Sequence, residues 1–276
     1  MIDNIRLFQP IYNIKNKRLL LNKLDFQQYK NKDGNPYFRT NIRNLIVTIP
    51  YHGNFFFLNG SITKFKYNHN LATLSLSDIV LLIDELSDIL NINLENAKIY
   101  SIEVGTNFDM DRPIQKYLEI LGYISRFERN DRYKTSLYFQ NKSKKMIFYD
   151  KMNEVNSKNV DYPRKFISKN ILRYELILKR NMRQQLLQEV KLLDFKKIEF
   201  LYTLIDLWKV YYNKIKKLAP LQKAQKLLFK IDSLNDINTL SYKERIKVIK
   251  LLTIDGNSDD LIKELDKKIN SYTISR

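Results

Sequence analysis

Cysteine is absent from this chain of 276 residues, and histidine occurs only twice. Without cysteine there is no disulfide, no thiolate zinc site and no cysteine nucleophile. His52 and His69 alone cannot supply a site that needs three imidazole ligands. A chain without cysteine suits a reducing compartment, so we expect a cytoplasmic protein.

Glycine and proline are also scarce, with six of each. The GxxxxGK[ST] pattern does not occur, so nothing indicates the phosphate-binding loop of an ATPase. No stretch approaches the run of about 18 apolar residues that a transmembrane helix requires, and the start, MIDNIRLFQP, does not resemble a signal peptide. We therefore expect no membrane partner.

Aromatic residues and positive charge are abundant instead. The 18 tyrosines and 15 phenylalanines are too many for a disordered chain, and the formal net charge is +18. Residues 123–180 alone carry 15 basic and 6 acidic side chains. Such an excess favours a polyanionic partner, because neutralising phosphates releases counterions, and an acidic membrane surface is the weaker alternative.

The apolar periodicity predicts an α+β fold, in which an antiparallel sheet with flanking helices is followed by an all-helical C-terminal region. We place the boundary near Arg180, giving domains 1–180 and 181–276. Helices are predicted from the Ser75 cap to residue 90, from 113 to 121, and in five segments after 180. The predicted strands are 45–50, 54–60, 61–67, 98–108, 133–140, 144–151 and 171–180.

Alternation along three of these strands predicts a shared polar face. In 98–108, Tyr100, Ile102 and Val104 point to the apolar side and Glu103 to the other. The same reasoning places Tyr149, Lys151 and Glu175 beside Glu103 if the strands form one sheet. Two carboxylates next to a tyrosine and a lysine suit a hard divalent cation and a phosphodiester, whereas an exposed face with ordinary Glu–Lys pairs is the simpler alternative.

Four blocks of the sequence resemble a known family. Residues 60–71, 99–108, 135–155 and 172–181 are similar, in order and rough spacing, to blocks of the rolling-circle replication initiators of phages and plasmids, including the filamentous-phage gene II type. The resemblance spans about residues 1–180. It implies a metal-dependent endonuclease and strand transferase that nicks and rejoins one DNA strand at the origin.

The resemblance also implies roles for single residues. The family's nucleophile falls on Tyr149, with Lys151 two places on, and its acidic metal-site residues fall on Glu103 and Glu175. His69 is the histidine nearest to these blocks and the third candidate ligand for Mg²⁺ or Mn²⁺. Glu103 stands where the family commonly has Asp, and the His-hydrophobic-His pair of better-known relatives is missing.

The predicted DNA contacts come from the same blocks and from the basic middle segment. They are Lys64, Asn70, Lys134, Lys142, Lys144, Lys145 and Arg173. The expected partner is origin DNA, single-stranded or extruded, and a host helicase is a further candidate. The helices after Arg180 are expected to contact DNA or such a partner, and a chain that ends near Arg180 is expected to cleave slowly if it folds.

Two other classes of function remain open from the sequence. A non-catalytic nucleic-acid-binding protein would use the basic segment 123–180 and place no demand on Tyr149. A scaffold protein would use the helical region, where Trp208, Tyr211 and Tyr212 cluster, as an interface, although such a cluster is also typical of a helix core.

Overall fold

A computed structural model describes residues 1–12, 14–158, 161–218 and 258–274 of the protein. Its strands are β1 (Ile2–Pro10), β2 (Gln27–Lys30), β3 (Pro36–Ile42), β4 (Leu45–Pro50), β5 (Phe55–Ser61), β6 (Lys98–Met110), β7 (Leu121–Tyr123), β8 (Glu128–Tyr133), β9 (Ser136–Gln140), β10 (Lys144–Asp150), β11 (Asn170–Leu178) and β12 (Lys216–Lys217). Its α-helices are α1 (Ile14–Lys23), α2 (Ile62–Tyr67), α3 (Leu76–Leu90), α4 (Ile114–Ile120), α5 (Lys151–Ser157), α6 (Met182–Leu186), α7 (Ile198–Asn213) and α8 (Ser258–Asn270).

Ten of the strands form one sheet, and every neighbouring pair in it is antiparallel. The strand order is β2-β3-β4-β5-β1-β6-β11-β10-β9-β8. The first strand of the chain therefore lies in the middle of the sheet, between β5 and β6. The predicted α+β class with an antiparallel sheet is confirmed.

The local signals at several turns and caps are also confirmed. The Ser75 side chain accepts a hydrogen bond from the Asp78 backbone N–H, which begins α3 with a capping box. The Asn141 side chain accepts from the backbone N–H groups of Ser143 and Lys144, at 3.0 and 2.9 Å, and so turns β9 into β10. These short polar side chains satisfy backbone groups that the turn leaves free.

The prediction of a strand over residues 61–67 was wrong, because this segment forms α2. The Ser61 hydroxyl caps the helix by accepting from the Lys64 backbone N–H at 3.0 Å. Ile62 and Phe65, three residues apart, then bury their side chains on the same side of the helix. The aromatic and β-branched content suggested a strand, but the cap and the 3.6-residue spacing of the buried residues decide the outcome.

The apolar face of the sheet packs against α7 through stacked aromatic rings. The rings of Phe148 and Tyr174 lie 4.3 Å apart and parallel, and the Trp208 ring lies 4.6 Å beyond Tyr174. The Tyr174 hydroxyl donates to the Trp208 backbone carbonyl at 3.1 Å. Leu261, Leu265 and Ile269 of α8 are buried in the same continuous core.

Helices α6, α7 and α8 lie in the region predicted to be all-helical, but strand β12 lies there too and pairs with β7, so an all-helical region is not shown. The predicted helices over 222–231 and 242–252 lie outside the described residues. No helix among the described residues is long and apolar enough to span a membrane. The domain boundary near Arg180 stays a prediction, although side chains on both sides of it share one core.

Trp208 should therefore be essential to the stability of the sheet domain. We expect Trp208→Ala to lower the free energy of unfolding by about 3–5 kcal/mol, because the stack with Tyr174 is replaced by a cavity. Val210→Ala, which changes a half-exposed side chain of the same helix, should cost less than about 1 kcal/mol. Chemical denaturation followed by circular dichroism measures both, and equal losses would contradict the packing described here.

Candidate active site

The polar face predicted from the sequence forms where β6, β11 and β10 lie side by side. Tyr149 on β10 pairs with Arg173 on β11, which pairs with Asn107 on β6. Glu175 pairs with Gly105 two residues along. Since directly opposed residues point to the same side, these side chains share one face with Glu103, opposite the aromatic core.

Arg173 lies at the centre of this face and is only 2% exposed. Its Nε donates to the Glu175 carboxylate at 2.5 Å, and one terminal nitrogen forms an ion pair with Asp3. The other terminal nitrogen donates to the Asn70 backbone carbonyl at 3.1 Å and to the Asn107 side-chain oxygen at 3.2 Å. Every nitrogen of the buried guanidinium thus has an acceptor, as a buried charge requires.

Gly105 makes room for this arrangement. A Cβ atom at this position would lie 2.8 Å from the Glu175 Cγ and 3.3 Å from a terminal nitrogen of Arg173. The first distance is shorter than Cβ contacts in proteins allow and the second is tight, and both neighbouring groups are already held by ion pairs. The absence of a side chain at Gly105 therefore allows Arg173 and Glu175 to lie flat against β6.

Three carboxylates converge beside Arg173, and one of them was missed by the sequence analysis. One oxygen each from Asp3, Glu103 and Glu175 lies within 4.8 Å of the others. Asp3 belongs to β1, for which no strand was predicted, although alternation over Ile5, Arg6 and Leu7 is a usable strand signal. The Asn70 side chain donates to Asp3 at 2.9 Å, and the Ser61 hydroxyl donates to its second oxygen.

The carboxylates differ in their ease of ionisation. Burial opposes the charge of Asp3, but the Arg173 ion pair and the Ser61 and Asn70 hydrogen bonds hold its pKa below the usual value. Burial raises the pKa of Glu103 well above its usual value, and the nearby charges of Glu175 and Asp3 raise it further.

The three oxygens therefore suit a hard divalent cation. Carboxylate oxygens are the ligands that Mg²⁺ and Mn²⁺ prefer, and a cation among them would offset the repulsion that raises the Glu103 pKa. Asp3, Glu103 and Glu175 are the residues that would hold it.

Tyr149 points its hydroxyl into this group. The hydroxyl donates to the same Glu175 oxygen that accepts from Arg173, at 2.8 Å. Burial raises the pKa of Tyr149 far above its usual value; Arg173 opposes this rise, and the charges of Glu175 and Glu154 add to it. The phenol is therefore neutral at rest, with its proton directed at a carboxylate.

Lys151 lies next to Tyr149, at the start of α5. Its ammonium is 5.6 Å from the centre of the Tyr149 ring and pairs with Glu154, and its side chain is almost fully buried. Burial lowers the pKa of Lys151, with a further lowering from Arg173, while Glu154 acts in the opposite direction. The predicted proximity of Tyr149, Lys151, Glu103 and Glu175 is thus present in the structure, and the catalytic roles stay predictions.

His69 is not part of the carboxylate group. Its ring stacks on Tyr67, and its Nδ1 accepts a hydrogen bond from the Leu71 backbone N–H at 3.3 Å. A neutral imidazole that accepts at Nδ1 carries its proton on Nε2, so neither nitrogen offers a free lone pair to a metal. This geometry gives the predicted metal role of His69 no support.

Two of the predicted DNA contacts, Asn70 and Arg173, face inward. Both side chains are buried and direct their hydrogen bonds to Asp3 and its neighbours, so they organise the site and do not reach the surface. The strand signal was right for Arg173, but its charge belongs to an internal ion pair. This geometry gives the predicted DNA contacts of these two residues no support.

The predicted lysines lie at different places. Lys145 shares the Tyr149 face, with its ammonium 4.5 Å from the centre of the Tyr138 ring. Lys144 is on the opposite face, over Tyr211 of α7. Lys134 and Lys142 are exposed in the turns that flank β9, and Lys64 is half-buried on α2. Lys145 is thus the predicted lysine whose strand position faces the same side as Tyr149.

Comparison with protein families matched residues 33–198 to the family described as the N-terminal part of the phage gene II replication-associated protein. The match covers more than half of the chain, so the protein belongs to this family of phage replication-associated proteins. It confirms the resemblance to replication initiators of the filamentous-phage gene II type. A search of curated proteins found no match.

The raised pKa of Glu103 predicts a pH-dependent effect of Glu103→Gln. A carboxyl that is harder to ionise in the folded state weakens folding as pH rises above about 4.5 towards its folded pKa. The amide carries no charge, so without divalent cations the variant should be more stable than the wild type at pH 7, by on the order of 1 kcal/mol.

At pH 4 the two proteins should unfold at nearly the same denaturant concentration, since Glu103 is then protonated in both states. Glu128→Gln, which changes an exposed glutamate of β8, serves as the control and should show no difference at either pH. A destabilised Glu103→Gln at pH 7 would mean that the carboxylate is held ionised.

Proposed function

We propose that this protein initiates rolling-circle replication by nicking one DNA strand at the origin and rejoining it through a 5′-phosphotyrosine. The observation that carries the proposal is the hydrogen bond from the Tyr149 hydroxyl to Glu175, inside a group of three carboxylates. Membership of the replication-associated family supports DNA as the substrate. A tyrosine aimed at a buried base is the arrangement that covalent catalysis by a phenol requires.

Glu175 and Tyr149 have different roles in the proposed cleavage step. Glu175 accepts the phenolic proton while the Tyr149 oxygen attacks the phosphorus, because a phenol with a raised pKa does not ionise beforehand. The bond from phosphorus to the 3′ oxygen breaks, and that oxygen leaves with the bonding electron pair and takes up a proton from water. The products are a free 3′-hydroxyl, which primes synthesis, and a 5′-phosphate esterified to Tyr149.

The charges around Tyr149 favour this step. Lys151 adds a positive charge beside the ring, and Arg173 fixes the Glu175 oxygen that receives the proton. Asp3, Glu103 and Glu175 would hold a divalent cation, which would supply electrostatic stabilisation of the charge on the phosphate oxygens.

The phosphotyrosine keeps the energy of the broken phosphodiester, so rejoining needs no ATP, consistent with the missing Walker pattern. The strand must be single or extruded, because Tyr149 is half-buried and a duplex cannot bring its phosphate to the sheet. The region after Arg180, with its net positive charge, is proposed to read the duplex origin or to contact a partner such as a host helicase.

Tyr149→Phe should abolish nicking while DNA binding and folding survive. The change removes only the hydroxyl, and the Phe ring fills the same space. A labelled single-stranded origin oligonucleotide incubated with Mn²⁺ should give a protease-sensitive adduct on a denaturing gel with the wild type and none with the variant.

Tyr138→Phe is the matched control, because Tyr138 lies on the same face one strand away and has no carboxylate partner within the part of the chain that the structure describes. It should keep more than half of the wild-type rate. An active Tyr149→Phe protein would end the proposal that Tyr149 is the nucleophile.

The carboxylates should make activity depend on a divalent cation. Asp3→Asn and Glu103→Gln should each lower the rate by about 100-fold or more, since each removes one charged ligand. Raising the Mn²⁺ concentration should partly restore both, because weakened metal affinity is then compensated by mass action. Full nicking by the wild type in excess chelator would contradict a metal-dependent step.

Non-catalytic DNA binding is the second candidate function, and the raised Tyr149 pKa is the observation that favours it. A neutral, hydrogen-bonded phenol beside an ion pair is also a stable structural arrangement. Binding without any covalent adduct under all tested cations would establish this alternative.

A further inference from the structure

Four aromatic rings cluster on the solvent side of the sheet, next to the candidate active site. We call this cluster the aromatic platform; its members are Phe8 on β1, Phe55 and Phe57 on β5, and Tyr100 on β6. Phe8 pairs directly with Phe57 across the two strands. Ring centres are 5.1–6.3 Å apart for Phe8–Phe55, Phe8–Phe57, Phe55–Phe57, Phe8–Tyr100 and Phe57–Tyr100.

Tyr100 joins the platform because of a bulge. Arg6 pairs with Ser101 and Leu7 pairs with Ile99, so Tyr100 is the extra residue between them. Its side chain therefore leaves the apolar side, where strict alternation placed it, and is 49% exposed. The prediction that Tyr100 shares a face with Ile102 and Val104 was wrong for this reason.

The platform is not needed to fill the core. The neighbouring residues on the same strands, Leu7, Phe56 and Leu58, point to the other side and are fully buried. The platform rings keep part of their surface open to solvent, and they are contiguous. A contiguous exposed aromatic patch beside a functional site is typical of a binding surface, whereas singly exposed rings need no explanation.

The charge around the platform selects an anionic partner. The Arg6 guanidinium lies 5.1 Å from the centre of the Phe57 ring and is exposed, and Arg39 on β3 faces the same side. Strands β2 to β5 contain no acidic residue. Flat rings beside arginines match the two parts of single-stranded DNA, because bases stack on aromatic faces and phosphates pair with guanidinium groups.

The platform is continuous with the carboxylate group on the same face. Glu103 follows Ser101, the partner of Arg6, by two residues along β6, which corresponds to about 7 Å. We propose that the aromatic platform binds unpaired bases of the DNA strand that flanks the phosphodiester presented to Tyr149. The position of the cleaved bond rests on the proposed function, whereas binding to the platform does not.

The first test measures binding without cleavage. Fluorescence anisotropy with a labelled oligothymidine, in chelator, should show about 10-fold weaker binding for Phe57→Ala and for Tyr100→Ala. Tyr100→Phe and Phe57→Trp keep a stacking ring and should bind within about 2-fold of the wild type. Tyr123→Ala changes an exposed tyrosine of β7, outside the ten-stranded sheet, and should have no effect.

The second test separates stacking from charge. An oligonucleotide of the same length with abasic sites keeps its phosphates and loses the bases, so the wild type should bind it about as weakly as the Ala variants bind the intact strand. The Ala variants should be nearly insensitive to base removal. Equal losses from base removal in the wild type and in the Ala variants would overturn stacking on the platform.

The outcomes distinguish this inference from the proposed function. Unchanged affinity in both Ala variants, with nicking still dependent on Tyr149, overturns the platform alone. Weakened affinity in both variants, with no adduct from the wild type, supports the platform and overturns the nicking proposal. Unchanged affinity together with a change in oligomeric state for Tyr100→Ala would assign the rings to a contact between copies and also overturn DNA binding there.

Discussion

The buried ion pairs of Arg173 organise the site on which the proposed chemistry depends. A guanidinium without water must be matched by acceptors, and these come from separate parts of the chain: Asp3 on β1, Asn107 on β6, Glu175 beside it, and the carbonyl of Asn70 before α3. Removing an acceptor would leave part of the buried guanidinium without a hydrogen bond, which is costly in a protein interior. The pairing therefore holds β1, β6 and β11 in one arrangement.

The position of Tyr149 follows from the same interaction. Arg173 fixes one oxygen of Glu175, and that oxygen receives the Tyr149 hydrogen bond. The nucleophile proposed here is thus oriented by a charge that never reaches solvent. Arg173 lies beside the candidate nucleophile, and its hydrogen bonds are all made inside the protein.

Much of the fold was predictable because its signals are local. Strand alternation requires only a period of two, so it placed Glu103, Tyr149 and Glu175 on one face correctly. The Ser75 cap and the Asn141 turn are likewise decided by a few neighbouring residues. The α+β class follows from the same patterns, taken over longer stretches of the chain.

The rest depended on contacts that a linear sequence pattern does not contain. Asp3 and Arg173 form an ion pair although they are 170 residues apart in the sequence, and no local sequence pattern near either residue predicts this contact. The bulge at Tyr100 arises from the register between two strands, so alternation within one strand could not reveal it. The segment 61–67 became a helix because its cap and its buried side outweighed its strand-like composition.

The central position of β1 has a consequence for protein synthesis. Strand β1 leaves the ribosome well before β6, its second neighbour, which emerges about 90 residues later, and β11 follows later still. Long-range pairing of this kind forms slowly. Closing the chain segment between two distant strands costs conformational entropy before the strand contacts can stabilise the pair. A nascent chain that ends between Tyr149 and Arg173 contains the tyrosine but lacks Arg173 and Glu175, the groups that orient it. The order of the strands thus makes the candidate chemistry depend on a sheet that is nearly complete.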